Sequence, residues 1–280
     1  MFVLSYRPLL ALPAQLASAD MSTLNILLLV AAGFAAGAAN SIAGGGSFFS
    51  FPALLAVGIP PVIANASNSV ALWPGSLAGA WAYRRELKGL KNYLVPMALA
   101  SLGGGVAGSL LLLTVGDARF SALIPWLLAF ATLLFAFSPQ LARLVQTRRG
   151  LCADAGEEPP KASHGAAWTQ LLVSVYGGFF GAGMGILMMA SLAIGGHKDV
   201  QEINALKNLL SSVVYSVTVV TFVIAGAVSW GHTLIVLLAA TAGGYWGARA
   251  ARTLQGPWLR RIVIAVGTAL TLYYLRQQWP

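Results

Sequence analysis

The chain has one cysteine, Cys152, and three histidines, His164, His197 and His232. A single cysteine excludes a disulfide framework and a thiolate metal site, and the histidines have no metal-ligand spacing, so no cofactor or metal is expected. Charge is scarce as well. Only 9% of the 280 residues are charged and 58% are hydrophobic, against about a quarter charged in a soluble domain, which makes lipid rather than water the solvent for most of the surface. The eight acidic residues (Asp20, Glu86, Asp117, Asp154, Glu157, Glu158, Asp199, Glu202) fall in loops or at segment ends. With no carboxylate at mid-membrane, a carboxylate-based proton pump and a cation pathway are both disfavoured. An intramembrane hydrolase is disfavoured too, because Ser47, Ser50 and Ser211 have no histidine nearby in sequence.

What the chain does have is long apolar runs. They lie at 24–42, 47–57, 63–83, 92–114, 120–138, 166–182, 184–195, 203–227, 232–248 and 259–278. At ~1.5 Å per residue most are long enough to cross a bilayer. The two exceptions, 47–57 and 184–195, cover only half of it, and each follows a glycine cluster. The net charge of +9 sits mainly in short loops between these runs, where it orients a chain in a membrane rather than binding nucleic acid.

The two short segments occupy matching places. Shifting the sequence by 139 positions lays Gly44 on Gly183, Gly46 on Gly185, Asn65 on Asn204, Ala66 on Ala205, Gly104 on Gly243 and Gly108 on Gly247 without a gap. The common register of the hydrophobic runs reads as an internal duplication. Loops 84–91, 139–165 and 249–261 carry most of the lysines and arginines, whereas 58–62 and 228–231 carry none and 114–119 only Arg119. By the positive-inside rule the first three are cytoplasmic and both termini lie outside, so the halves run in opposite directions if each glycine-broken pair enters and leaves on one side. The expected fold is therefore an all-α polytopic membrane protein with two inverted-topology repeats. Each repeat has three full transmembrane helices plus a glycine-broken pair, about 8 to 10 membrane segments in all. Its parts are an N-terminal segment at 1–23, repeat one at 24–139, a cytoplasmic linker at 140–165 that reads as mobile, and repeat two at 166–280. The ASA stretch at 17–19 has the form of a processing site, but Pro8 and Pro13 interrupt the apolar run before it, which favours an uncleaved outer segment.

Broken helices at a repeat interface point to a transporter site, because the free N-terminal amides of half-helices can face an anionic group near the bilayer midplane. The candidate substrate-binding residues are Asn40, Gly44, Gly45, Gly46, Ser47, Asn65, Asn68, Gly183, Gly185, Asn204, Lys207 and Asn208. Asn65 and Asn68 share one helical face, and Asn204 and Lys207 are their shifted counterparts. Lys207 is either a neutraliser of substrate charge or an interfacial anchor. Asn40 is either a substrate contact or a cap for loose backbone groups. The glycines have an alternative reading as well, since Gly33 and Gly37, Gly75 and Gly79, Gly104 and Gly108, and Gly243 and Gly247 have the GxxxG spacing of packed helices. The GAGMG run at 181–185 lacks the strand-helix-strand surroundings of a nucleotide-binding loop.

The stretch AGAANSIAGGGSFFSFPALLAVGIPPVIANASNSVALWPGSLAGAWAYRREL, beginning at Ala36, and YGGFFGAGMGILMMASLAIGGHKDVQEINALKNLL at 176–210 resemble the sulfite exporter TauE/SafE family, also called the toluene-sulfonate uptake permease family. The resemblance extends over about residues 24 to 278. It implies a bacterial inner-membrane permease of two related halves that moves sulfite, sulfonates or other small sulfur-containing anions. By position it points to Gly44 to Gly46, to Pro60 and Pro61, to the Asn65–Asn68 turn and to NALKN at 204–208. Members differ in substrate and direction. The expected partners are a small anionic substrate and the lipid bilayer. For a negative-inside cell, export of one negative charge gains ~2.3 kcal/mol per 100 mV, so export needs no coupling ion. Uptake of an organosulfonate or another small anion, and a non-transport role in membrane assembly, are the alternatives.

Overall fold

The computed structural model describes residues 22–43, 45–87, 90–150, 163–197, 199–250 and 256–278. Residues 1–21 of the N-terminal segment, Gly44, and positions 151–162 of the linker lie outside the described residues. Within them the chain is helical: α1 (Thr23–Ala43), α2 (Ser47–Ala56), α3 (Pro61–Ala82), α4 (Lys91–Gly150), α5 (His164–Phe179), α6 (Met184–Ile194), α7 (Val200–Ile224), α8 (Trp230–Ala250) and α9 (Gly256–Gln278). Three of these are long and apolar enough to cross a membrane by length and composition, over Thr23–Ser41, Asn92–Ser138 and Gln201–Ile224. The half-length segments form as α2 and α6, each a separate helix after a turn.

The runs 92–114 and 120–138 form two helical arms of α4, separated at Gly116, whose φ of 75° and ψ of 165° are non-helical. Only a residue without Cβ takes that conformation cheaply. The second arm of α4 also runs on to Gly150, so the linker expected from 140 begins as helix.

Helix ends are secured by the few acidic side chains. Asp117, just past the bend in α4, accepts a hydrogen bond at 2.8 Å from the amide of Val62 in the first turn of α3. Asp199 caps α7 by accepting from the Gln201 amide at 2.9 Å. Both place negative charge where helix N-termini carry unpaired donors. The contacts also sort the connections. Segment 58–62 meets the α4 bend through Asp117, and the Ser229 amide bonds Ser67 in the second turn of α3 at 3.0 Å. At the far end Tyr93 stacks edge-on against His197, 4.5 Å between centroids, and His197 bonds Glu202. Arg260 reaches the Ala136 carbonyl.

Close packing is confined to particular helix pairs. A Cβ on Gly37 would overlap the Ala240 carbonyl, one on Gly33 would lie 2.9 Å from the Ala239 Cβ, and Gly247 sits against Ala38 at 2.6 Å. The residue numbers rise together, so α1 and α8 run parallel with their backbones nearly touching. Gly104 lies against Leu171 and Ser174, and Gly108 against Val175 and Phe179, so α5 runs parallel to the first arm of α4 in the same way. Small residues permit this approach, which gains dispersion and backbone contact where lipid supplies no hydrophobic drive. The pair at 75 and 79 departs from its spacing: Gly75 has no neighbour within 4 Å, and Gly79 meets only the Asn208 side chain, at 3.4 Å. The crossing of α3 and α7 is built on side chains, including a 2.9 Å bond from the Trp73 indole to Ser216.

This division generates a paired test. Gly37→Leu is expected to destabilise the protein by about 1–3 kcal/mol through overpacking, read as a lowered melting temperature in detergent. Gly75→Leu is expected to leave the melting temperature unchanged.

Candidate functional site

Helix α2 begins where α1 ends, and the tightness of that turn comes from close approach. A Cβ on Gly46 would lie 2.7 Å from the Ala36 carbonyl and 3.0 Å from the Asn40 Cβ, and one on Gly45 would press on Phe135 at 2.9 Å and Val263 at 3.2 Å. Gly46 itself is right-handed, with φ −56°, so crowding rather than an unusual dihedral demands glycine there. Asn40 lies against this turn. The amides of Phe48 and Phe49 turn back to the carbonyls of Gly45 and Gly46.

The first residue of α2, Ser47, is buried and becomes the centre of a polar cluster. Asn68 of α3 donates to the Ser47 hydroxyl at 3.1 Å and accepts from the Ser50 hydroxyl one turn along α2. The Tyr215 side chain of α7 lies near Ser47, and its hydroxyl is 3.9 Å from the Cβ position of Gly181.

The second turn, between α5 and α6, is built differently. Gly181 and Gly183 have φ of 80° and 79°, a left-handed conformation that a side chain disfavours by roughly 1–2 kcal/mol. The turn is stitched by the Tyr176 hydroxyl, which donates to the Ala182 carbonyl at 2.6 Å. In α6 the amide of Met184 bonds the Gly181 carbonyl, and those of Ile186 and Leu187 bond the Gly183 carbonyl. Among the described residues the amide of Gly185 has no backbone acceptor. Facing that residue is Lys207 of α7, whose Cδ lies 3.6 Å from the Gly185 Cβ position. No ion pair engages Lys207 among the described residues. The Lys207 stem thus packs beside a helix start whose Gly185 amide has no backbone acceptor, and such a start suits an anion.

Asn65 joins the same turn from α3. Its amide nitrogen donates at 2.9 Å to the carbonyl of Phe179, the last residue of α5. The side chain is 1% exposed, and its oxygen has no hydrogen-bond partner.

Of the sequence candidates, the structure brings Ser47 and Asn68 together, and places Gly185 with Lys207. Asn65 and Gly183 belong to the second turn, Gly183 packing on Ala131 of α4 at 3.6 Å. Asn204 precedes Lys207 by one turn of α7. Asn208 stands apart, against Gly79 at the α3–α7 crossing. Gly44 lies outside the described residues. Tyr215, Ser50 and Tyr176 are contacts the sequence reading did not name as binding residues. A signal for Tyr215 was present, since Lys207, Ser211 and Tyr215 recur at four-residue steps along one stripe of α7.

Comparison with known proteins points to a membrane transporter. The family described as Sulfite exporter TauE/SafE matches residues 29–274. A Sinorhizobium protein named "Probable membrane transporter protein ORF9" is 29% identical over 91% of this chain and 94% of its own length. A Haemophilus influenzae protein named "Probable membrane transporter protein" is 26% identical over 88% of this chain and 92% of its own. Escherichia coli K12 has a relative named "Probable membrane transporter protein YfcA", 24% identical over 89% of this chain and 88% of its own. No solved structure matches. With nearly its whole helical length matched and its relatives named as membrane transporters, the chain belongs to the sulfite exporter TauE/SafE family of transmembrane transporters.

Proposed function

We propose that the protein is a bacterial inner-membrane permease that exports a small sulfur-containing oxyanion, sulfite or a sulfonate, by alternating access between two inverted halves. The observation that carries this reading is the Gly185 amide, unclaimed by backbone at the start of α6 and faced by Lys207. A compact oxyanion is matched by such a convergence of donors, and no described carboxylate forms an ion pair with the lysine to compete.

The two-repeat arrangement draws support from the pairing of elements. Helices α3 and α7 start 139 residues apart, at Pro61 and Val200, and so do α4 and α8, at Lys91 and Trp230. Under that offset the parallel pair α1 and α8 exchanges into the parallel pair α5 and α4. Asn68, which meets the start of α2, exchanges into Lys207, which meets the start of α6. The topology has the basic loops 84–91, 139–165 and 249–261 in the cytoplasm and both termini outside. Outward movement of an anion follows the membrane potential without a second ion.

The reading is tested by counterflow of labelled sulfite in proteoliposomes containing the purified full-length protein. Flux above that of protein-free vesicles is expected, and no flux for any small oxyanion would sink the proposal. Lys207→Met is expected to weaken sulfite affinity by roughly tenfold or more, the worth of a charge-assisted hydrogen bond, measured as the concentration giving half-maximal thermal stabilisation; an unchanged value returns Lys207 to membrane anchoring. Gly45→Phe, which crowds Phe135 and Val263, is expected to abolish sulfite binding while membrane insertion persists. Wild-type binding in that variant would remove the α1–α2 turn from the site.

A further inference from the structure

Asn65 offers an acceptor that no other group among the described residues uses. Its amide orientation is set by the Phe179 carbonyl: only the nitrogen can donate there, and an exchanged amide would set oxygen against oxygen. The Asn65 oxygen therefore points elsewhere, buried and unpartnered, at the end of α5. The turn it touches runs from Phe179 to the start of α6, where the Gly185 amide and Lys207 lie. Asn68, one turn along the same face of α3, holds the start of α2. An unsatisfied buried acceptor costs free energy unless a ligand supplies a hydrogen, and it repels an oxyanion that presents only lone pairs.

We infer that Asn65 makes the site selective for oxyanions that retain a hydrogen-bond donor, such as a hydrogen oxyanion of charge minus one, over fully deprotonated or donor-free anions of the same shape. This inference rests on the permease reading above and specifies which protonation form of the anion is bound. The donors at Gly185 and Lys207 take the anionic oxygens, and the Asn65 oxygen accepts the remaining O–H. A site built this way discriminates strongly, because the wrong ligand leaves a buried polar group unpaired.

The test uses two ligands of equal charge and nearly equal shape that differ by one O–H: methylphosphonate, at a pH where it is a monoanion, and methanesulfonate. Thermal stabilisation of the purified full-length protein in detergent is titrated with each, and with sulfite as the reference. Wild-type protein is expected to respond to methylphosphonate at concentrations at least about tenfold below those for methanesulfonate. Asn65→Leu is expected to bring the two midpoints together. Equal midpoints in the wild type, with sulfite still stabilising, would overturn this inference and leave the permease reading standing. A preference that persists unchanged in a folded Asn65→Leu protein would overturn the assignment to Asn65. If the variant does not fold, the wild-type pair alone decides. Stabilisation by none of the three ligands would overturn the permease reading and this inference with it.

Discussion

A helix interrupted among apolar neighbours leaves backbone groups that water cannot reach, and the rest of the site depends on how those groups find partners. At one break the partner comes from far along the chain: Asn65 of α3 takes up the terminal carbonyl of α5, 114 residues away. At the other, Asn68 of the same helix bonds the hydroxyl of Ser47, the first residue of α2. The polar residues of α3 thus tie the two turns together.

The two turns solve one problem by different means. Between α1 and α2 the glycines admit a neighbouring backbone, with Gly46 against Ala36. Between α5 and α6 they admit left-handed dihedrals at Gly181 and Gly183, and a tyrosine hydroxyl locks the turn. Aromatic edges then fix α2 against the second turn and against α4: Phe51 meets Phe180 at 5.5 Å and Phe48 meets Phe135 of α4 at 5.4 Å, both nearly perpendicular. Such pairs add directional contact to apolar burial.

Scarcity of charge gives each charged group a definite task. Asp117 and Asp199 cap helices, and Glu202 holds His197 at the end of the molecule where α7 begins. With these carboxylates occupied at helix ends, Lys207 meets glycine instead of an acid. The aliphatic stem of Lys207 packs on the start of α6.

The helical membrane character, the two half-length segments and their glycine-marked turns were legible in the sequence, because composition and run length follow directly from the solvent a segment must match. Gly185, Lys207, Ser47 and Asn68 were legible as candidates for the same reason: polar or Cβ-free residues stand out against an apolar background. Which of them meet was decided by tertiary structure. Spacing alone put Gly75 and Gly79 among packed glycines and Asn208 beside Lys207, yet Gly75 faces open space and Asn208 serves a helix crossing. Tyr215 lay on the stripe of Lys207 and Ser211, yet only the fold brings its hydroxyl near Ser47 and the turn at Gly181. The sequence by itself determined where the backbone must break, since that depends on local length and glycine content; the tertiary structure decided what satisfies each break, since those partners come from helices far away along the chain.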